Sequence, residues 1–467
     1  MNQELQSDTR NDQSPRKLQF LGAISVSIIL FLYGYYYLSC FGIGLFVFFA
    51  FELFINLGQK IEIRDCFVIM ALIQWVFAPF LAYIFLSKTS YYAMSVNETE
   101  YMNYVIPGIT LFIAGLYFPF YYSTKIDKQH LRDSIKKMLY MYPNLDIVLV
   151  TIGLTASFLS GLLPYSLRFL VFLLDQIEFI GLFFILLSKR RYKWIYILVI
   201  FGSMFVSSVT AGMFHNFILW VLFAMLFVSV IMGFNYRKNL ICLMLLLFSV
   251  FSIMIVKQEL RKFIWNKRNI ENPTLLFGNL IIDKYTGDDE LIDEDSKDML
   301  ITRLNQGWII AAVMNYVPKN EPFANGETVY RSIKDSLVPR FLNPNKLKVG
   351  GDEYFARFTG RHLNSGTSMD LSAIGEFYAN YGKSGIYYMF LYGLFYNFIL
   401  LIVFRVAKKN IAIILWLPLL FFYSVKAETG LYMPLNHVVK TSIFIIFFIW
   451  GIKSLYMFIL PNHKDTV

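Results

Sequence analysis

The chain has 467 residues, 57% of them hydrophobic and 18% aromatic, with 16% charged and a formal net charge of +10. So little charge does not cover the surface of a soluble domain of this size, so the apolar excess must face lipid. The basic residues sit mostly in short segments between apolar runs, which argues against a nucleic-acid partner and makes them determinants of membrane topology.

Residues 1–17 are polar and read as a cytoplasmic tail. A bilayer core takes roughly 20 apolar residues per helix, and about twelve such runs follow. They fall near 18–36, 38–57, 66–87, 103–122, 145–164, 167–188, 194–210, 213–234, 239–256, 385–404, 411–425 and 441–460. The first is long and has no small-residue cleavage site, so it reads as an anchor rather than a removed signal. Cys40, Cys66 and Cys242 lie in or beside apolar runs, without disulfide or metal-ligand spacing.

Alternate connections are basic. With the N-terminus inside, the inner ones hold Lys60 and Arg64, then Lys125, Lys128, Arg132, Lys136 and Lys137, then Lys189, Arg190, Arg191 and Lys193. Arg237 and Lys238 follow, and after them Arg405, Lys408 and Lys409. The short connections on the other side hold only Lys88, Arg168, Lys426 and Lys440. This asymmetry predicts an all-α polytopic membrane protein with both termini cytoplasmic. Its parts are helices one to nine over 18–256, a large outer loop over 257–384, helices ten to twelve over 385–460, and a cytoplasmic tail over 461–467.

Glu52, Asp175, Glu178 and His215 interrupt apolar runs. Ionisable groups there face a cavity or a partner. Asp175 and Glu178 are one helical turn apart and are candidate partners for Arg168. His215 opens a run after the small-residue turn 207–212 and is a candidate membrane-cavity contact.

The outer loop is too long to be a mere connection. Val329, Ile333 and Leu337 predict an amphipathic helix over 326–338, lying on the membrane surface. Leu371, Ile374, Phe377, Tyr378 and Tyr381 predict a second over 371–381, with Asp370 or Ser368 as its cap and Gly382 at its end. The acidic run 288–298 contains Asp293-x-Asp295. It reads as a solvated loop rather than a metal site.

Between the two helices stand Arg340, Lys346, Arg357, Arg361 and His362. Guanidinium groups match phosphate oxygens bidentately and keep their charge, so such a cluster at headgroup level suits a pyrophosphate-linked lipid. The plainer alternative is headgroup anchoring and ordinary ion pairs with Asp352, Glu353 or Asp370. His362 and Glu376 are the candidate bases for accepting a hydroxyl proton. No metal and no cofactor is expected.

The stretches Leu337-Val-Pro-Arg-Phe-Leu-Asn-Pro-Asn-Lys346 and Ser368-Met-Asp-Leu-Ser-Ala-Ile-Gly-Glu-Phe-Tyr-Ala-Asn-Tyr-Gly-Lys-Ser-Gly385 resemble bacterial oligosaccharide repeat-unit polymerases, the Wzy-type O-antigen polymerases. The resemblance covers about one-eighth of the chain. It implies a metal-independent glycosyltransferase of the lipid-donor type in the bacterial plasma membrane. Such an enzyme moves a glycan from polyprenyl pyrophosphate to a lipid-linked acceptor, with a chain-length regulator as a possible partner. Arg340 and Glu376 lie in the matching motifs, whereas Arg357, Arg361 and His362 lie between them. Many members carry an arginine at the outer start of a central helix where this chain has His215. An O-antigen ligase and a lipid-glycan flippase remain as alternatives, although a flippase would normally show two similar halves.

Overall fold

The computed structural model describes residues 13–61, 63–119, 127–159, 161–162, 167–265, 272–287, 294–338, 342–343, 345–348, 351–363 and 367–459. Among the described residues every regular element is helical. In the first half these are α1 (Gln13–Leu32), α2 (Tyr37–Asn56), α3 (Ile63–Phe85), α4 (Glu98–Leu116), α5 (Lys128–Met141), α6 (Leu145–Leu159), α7 (Arg168–Leu187), α8 (Lys193–Ala211), α9 (His215–Met232) and α10 (Tyr236–Trp265). There follow α11 (Pro273–Thr286), α12 (Glu294–Leu304), α13 (Gly307–Tyr316), α14 (Glu327–Leu337), α15 (Asp352–Thr359), α16 (Ser372–Tyr381), α17 (Gly385–Ala407), α18 (Ile411–Phe421) and α19 (Tyr432–Ile459).

Eight stretches are long and apolar enough to cross a bilayer: α2, α3, α7, α8, α9, α10, the α16–α17 segment and α19. The pair α5–α6, bent by 84°, makes a ninth if it is a single broken span. The chain is a multi-pass helical membrane protein. The expected runs at 18–36 and 103–122 are also helical, as α1 and α4. The run at 411–425 is instead a 3₁₀ segment, Ile411–Trp416, followed by one short helix, Leu417–Phe421. That is well short of the roughly 20 residues a span needs.

Two of the acidic groups within the apolar helices have local partners. Glu52 accepts from the Gln19 amide (2.9 Å) and the Asn56 amide (2.8 Å), joining α2 to α1. Asp175 accepts from the Gln176 amide at 2.6 Å.

Helix α3 carries a π turn over Ile73–Phe77, immediately before Pro79. Proline has no N–H to offer the preceding turn, so nearby carbonyls need other donors in a medium without water. Gln74 O accepts the Gln306 N–H at 3.1 Å, and Trp75 O accepts the Tyr101 hydroxyl at 2.8 Å. The Trp75 indole in turn donates to Ala427 O at 3.2 Å. One proline thus ties α4 and the start of α13 to the centre of α3, and the Trp75 side chain adds the 422–431 connection.

The segment expected as one outer loop is largely helical. Helix α10 continues past 257 to Trp265, and the apolar stretch beginning at Ser372 runs through Ala407. Both expected helices form, as α14 and α16, together with α11, α12, α13 and α15. Helix α13 is apolar on every side and packs against α3, α15 and α16, burying residues Gly307 to Met314. An element with no polar face gives no amphipathic period, which is why the sequence hides it.

Helix α14 packs against α19 and α16 through a polar face of Thr328, Ser332, Asp335 and Ser336. Its apolar face, with Tyr330, Ile333 and Leu337, is exposed. Helix α16 ends at Gly382, whose φ of +57° favours glycine. Its start corrects the expected cap: Leu371 occupies the N-cap position, with no side-chain cap bond there. The acidic run also differs from expectation. Residues 288–293 lie outside the described residues, and α12 already begins at Glu294.

Candidate functional site

Two cavities adjoin where α10, α12, α13 and α15 meet the segments leading into α16 and α19. The larger measures about 980 Å³ and the smaller about 510 Å³, and Asp370 and Met433 line both. Both are within the range of roughly 300–1,000 Å³ typical of small-molecule sites.

The larger cavity gathers cations from distant parts of the chain: Lys262 from α10, Lys284 from α11, Arg303 from α12 and Lys426 from the connection before α19. Lys257 and Arg261 stand beside them, close enough to Arg303 to repel it. Their positions are held by neutral contacts. Arg261 Nε donates to Gly212 O at 2.7 Å and its guanidinium stacks on Trp265. Lys426 Nζ donates to Asn216 Oδ1 at 3.1 Å and lies over the rings of Phe422 and Tyr423. Like charges held together in a partly desolvated space favour an anion among them. Carboxylates are present too, from Glu259, Asp298, Asp370 and Glu428. Among the described residues none of them forms an ion pair with Lys262, Lys284 or Arg303. Burial pushes the Lys426 ammonium down to about 8, with Glu428 acting the other way.

The wall between the cavities is built from two carboxylates and one glycine. Asp370 accepts the N–H groups of Leu371 (2.9 Å) and Gly430 (2.7 Å). Glu376, 1% exposed, accepts from Thr328 Oγ1 (2.8 Å), Ser332 Oγ (3.5 Å) and the Leu431 N–H (2.8 Å). Consecutive backbone donors of the 430–431 segment therefore hold both acids. A Cβ on Gly430 would lie 2.5 Å from Asp370 Oδ1 and 2.8 Å from Glu376 Oε2, so only glycine lets the backbone come this close. Burial raises the Asp370 pKa from the usual carboxylate range, while the bonds from Gly430 and Leu371 act in the opposite direction. A carboxylate has about four lone-pair sites, so Asp370 keeps more acceptor capacity than Glu376. Gln306 braces this wall by donating its amide to Asp370 O at 2.8 Å.

The residues singled out in the sequence do not converge on one point. Lys346 and Glu376 meet in the smaller cavity. There Lys346 is buried, donates to Val338 O at 2.9 Å and lies 5.9 Å from the Tyr432 ring. Its loop is anchored by Asp335, which accepts from Asn343 Nδ2 (2.7 Å) and the Leu347 N–H (2.8 Å). Arg357 is held away from both cavities by Glu321 (2.6 Å) and Glu327 (2.9 Å). Those bonds, Glu327 foremost, raise its already high pKa. These two glutamates take the place of the partners expected at Asp352, Glu353 or Asp370. Arg361 donates to Tyr91 O at 2.9 Å and stacks beside Tyr91 and Trp308, and only the latter ring lines the larger cavity. His362 is exposed and outside both cavities. His215 Nδ1 stands 3.9 Å from Glu428, which opens into the larger cavity. Arg340 lies outside the described residues.

Arg303, Lys262, Lys284, Gln306 and Glu428 escaped notice in the sequence, Lys426 counted only toward topology, and Asp370 only as a cap or ion-pair partner. The one available signal was Lys426-x-Glu428-x-Gly430, opposite charges beside a glycine in a short connection between apolar runs. Among the described residues no group of three or more His, Cys, Asp or Glu side chains is placed to hold a metal ion.

No curated protein and no solved structure matches the chain. Residues 65–404, from within α3 to near the end of α17, match the model of a protein family described as Domain of unknown function (DUF8712), and the chain belongs to that family.

Proposed function

We propose that this protein is a glycosyltransferase of the bacterial plasma membrane that joins polyprenyl-pyrophosphate-linked oligosaccharide units into a surface polysaccharide. The observation that carries the reading is the pair of adjoining cavities that share Asp370, the larger gathering Lys262, Lys284, Arg303 and Lys426, and the smaller presenting carboxylates and tyrosine hydroxyls beside Arg331, Lys346 and Lys348. A transfer between two lipid-linked glycans needs a place for a leaving pyrophosphate, a place for an acceptor sugar, and a proton acceptor between them. In this reading both termini are cytoplasmic and the cavities open on the outer face.

The pyrophosphate sits among Lys262, Lys284, Arg303 and Lys426, with Lys257 and Arg261 behind. The acceptor hydroxyl oxygen bonds to the anomeric carbon of the donor. The bond from that carbon to the pyrophosphate oxygen breaks, and its electron pair leaves on the phosphate. The hydroxyl proton passes to the Asp370 carboxylate. Fixed positive charge stabilises the departing group without reorganisation during the step. Asp370 takes precedence over Glu376, which already holds three donors, and over His362, which lies on the exterior.

The resemblance to Wzy-type polymerases supports polymer formation over ligation. Cells lacking the protein are expected to display glycans of a single repeat unit, and Arg303→Ala to lower polymer yield about a hundredfold, for ~2–4 kcal/mol lost at the transition state. Long polymer retained on the polyprenyl carrier would indicate a ligase instead. Lipid-linked units trapped inside the cell would indicate a flippase.

A further inference from the structure

We propose that the smaller cavity is the binding site for an uncharged sugar ring, the end unit of the acceptor glycan, with the Tyr354 hydroxyl as its anchoring hydrogen-bond partner. This rests on the transferase reading and names the ligand of its second cavity.

Tyr354 is on α15, is 5% exposed and lines the cavity, and its Oη has no hydrogen-bond partner among the described residues. A buried hydroxyl left unbonded costs free energy, and folded proteins keep few of them. It lies in the field of Glu376, Arg331 and Glu353 without bonding to any of them. A ligand hydroxyl in the cavity would complete it.

The rest of the wall favours a neutral polyol over an anion. Arg331 is already paired with Glu353 at 2.6 Å. The Lys346 ammonium already donates to a backbone carbonyl, and with Lys348 the wall holds three cations against four carboxylates. The carboxylates of Asp352, Asp370 and Glu376 bring acceptors to the same space. Acceptors in excess, a tyrosine hydroxyl and the flat ring of Tyr432 suit a molecule with many hydroxyl donors and an apolar C–H face. An anion would meet these carboxylates at close range. Asp370 then stands between this sugar and the cation-rich cavity, where the acceptor hydroxyl has to be deprotonated.

The test uses the full chain in lipid nanodiscs. Its probe is the repeat-unit oligosaccharide freed from the host cell's surface glycan by mild acid. Saturation-transfer NMR should report binding to the wild type. Tyr354→Phe should weaken that binding about tenfold, as expected for one lost hydrogen bond. The same variant should melt at or above the wild-type temperature, because the hydroxyl has no partner to lose, and should bind inorganic pyrophosphate as the wild type does. No oligosaccharide binding by the wild type, or unchanged binding by Tyr354→Phe, overturns the proposal. Unchanged binding together with a lower melting temperature would assign the hydroxyl a structural role instead. Polymer formation from the lipid-linked unit is scored separately. A wild type that binds the oligosaccharide through Tyr354 but forms no polymer retires the transferase reading and keeps the sugar site. A wild type that polymerises while Tyr354→Phe binds normally does the reverse.

Discussion

At the residue scale, anion binding by the larger cavity turns on whether Lys426 is charged. Its ammonium is surrounded by Phe422 and Tyr423, bonded to Asn216, and faced by Glu428, His215 and His437. Burial lowers its pKa to about 8, so it is protonated below that pH and neutral above it. A pyrophosphate diester does not titrate in this range, so donor affinity should hold near neutrality and fall as pH rises through about 8. Lys426→Arg, whose guanidinium stays charged, should lessen the decline. The measurement is binding of the lipid-linked unit across pH in both proteins, and a flat wild-type profile would show that the ammonium takes no part. Arg357 makes the opposite point. By residue type it is the better phosphate ligand, yet Glu321 and Glu327 hold it on the outside. Residue type selects candidates, and neighbours decide which of them face a ligand.

At the scale of elements, the crossing of α4 and α17 holds the site-bearing α16 in place. A Cβ on Gly393 would collide with Phe112 O, and one on Gly115 with Phe390 O, so the helices touch backbone to backbone. Small residues at such a crossing replace the hydrophobic drive that lipid removes. The Tyr104 hydroxyl extends the joint by donating to Ile374 O at 2.9 Å. Gly393→Leu should force the pair apart at a cost of at least ~1–3 kcal/mol, with Gly393→Ala milder. Thermal unfolding of detergent-solubilised protein reads this directly, and a Gly393→Leu variant as stable as the wild type would contradict the packing. The helices themselves were readable from apolar runs, but this crossing was not, because nothing local pairs residue 115 with residue 393. Helix α14 shows the same limit. Its Val329, Ile333 and Leu337 period is plain in the sequence, yet the polar face with Asp335 is the one that packs inward.

At the scale of the whole molecule, the proposed mechanism needs both cavities on the outer face. The alternation of basic connections predicts that arrangement. Reporter fusions at Lys137, Arg191 and Lys409 should read cytoplasmic, and one at Asp295 external. A cytoplasmic signal at Asp295 would put the cation-rich cavity on the wrong side of the membrane for a lipid-linked glycan displayed outside.

The sequence by itself determined that this is a helical membrane protein, where most of its helices run, and that α16 stops at Gly382. Those properties are local and additive: apolar side chains partition into lipid one by one, and a backbone without water must close its own hydrogen bonds within each helix. Only the tertiary structure decided which charges share a cavity. Lys262, Lys284, Arg303, Asp370 and Lys426 come from separate elements. They meet because Pro79 frees the Gln74 and Trp75 carbonyls for Gln306 and Tyr101, and because Gly430 lets the backbone reach two carboxylates. Such convergence depends on contacts between residues hundreds of positions apart, and no periodicity or spacing along the chain encodes them.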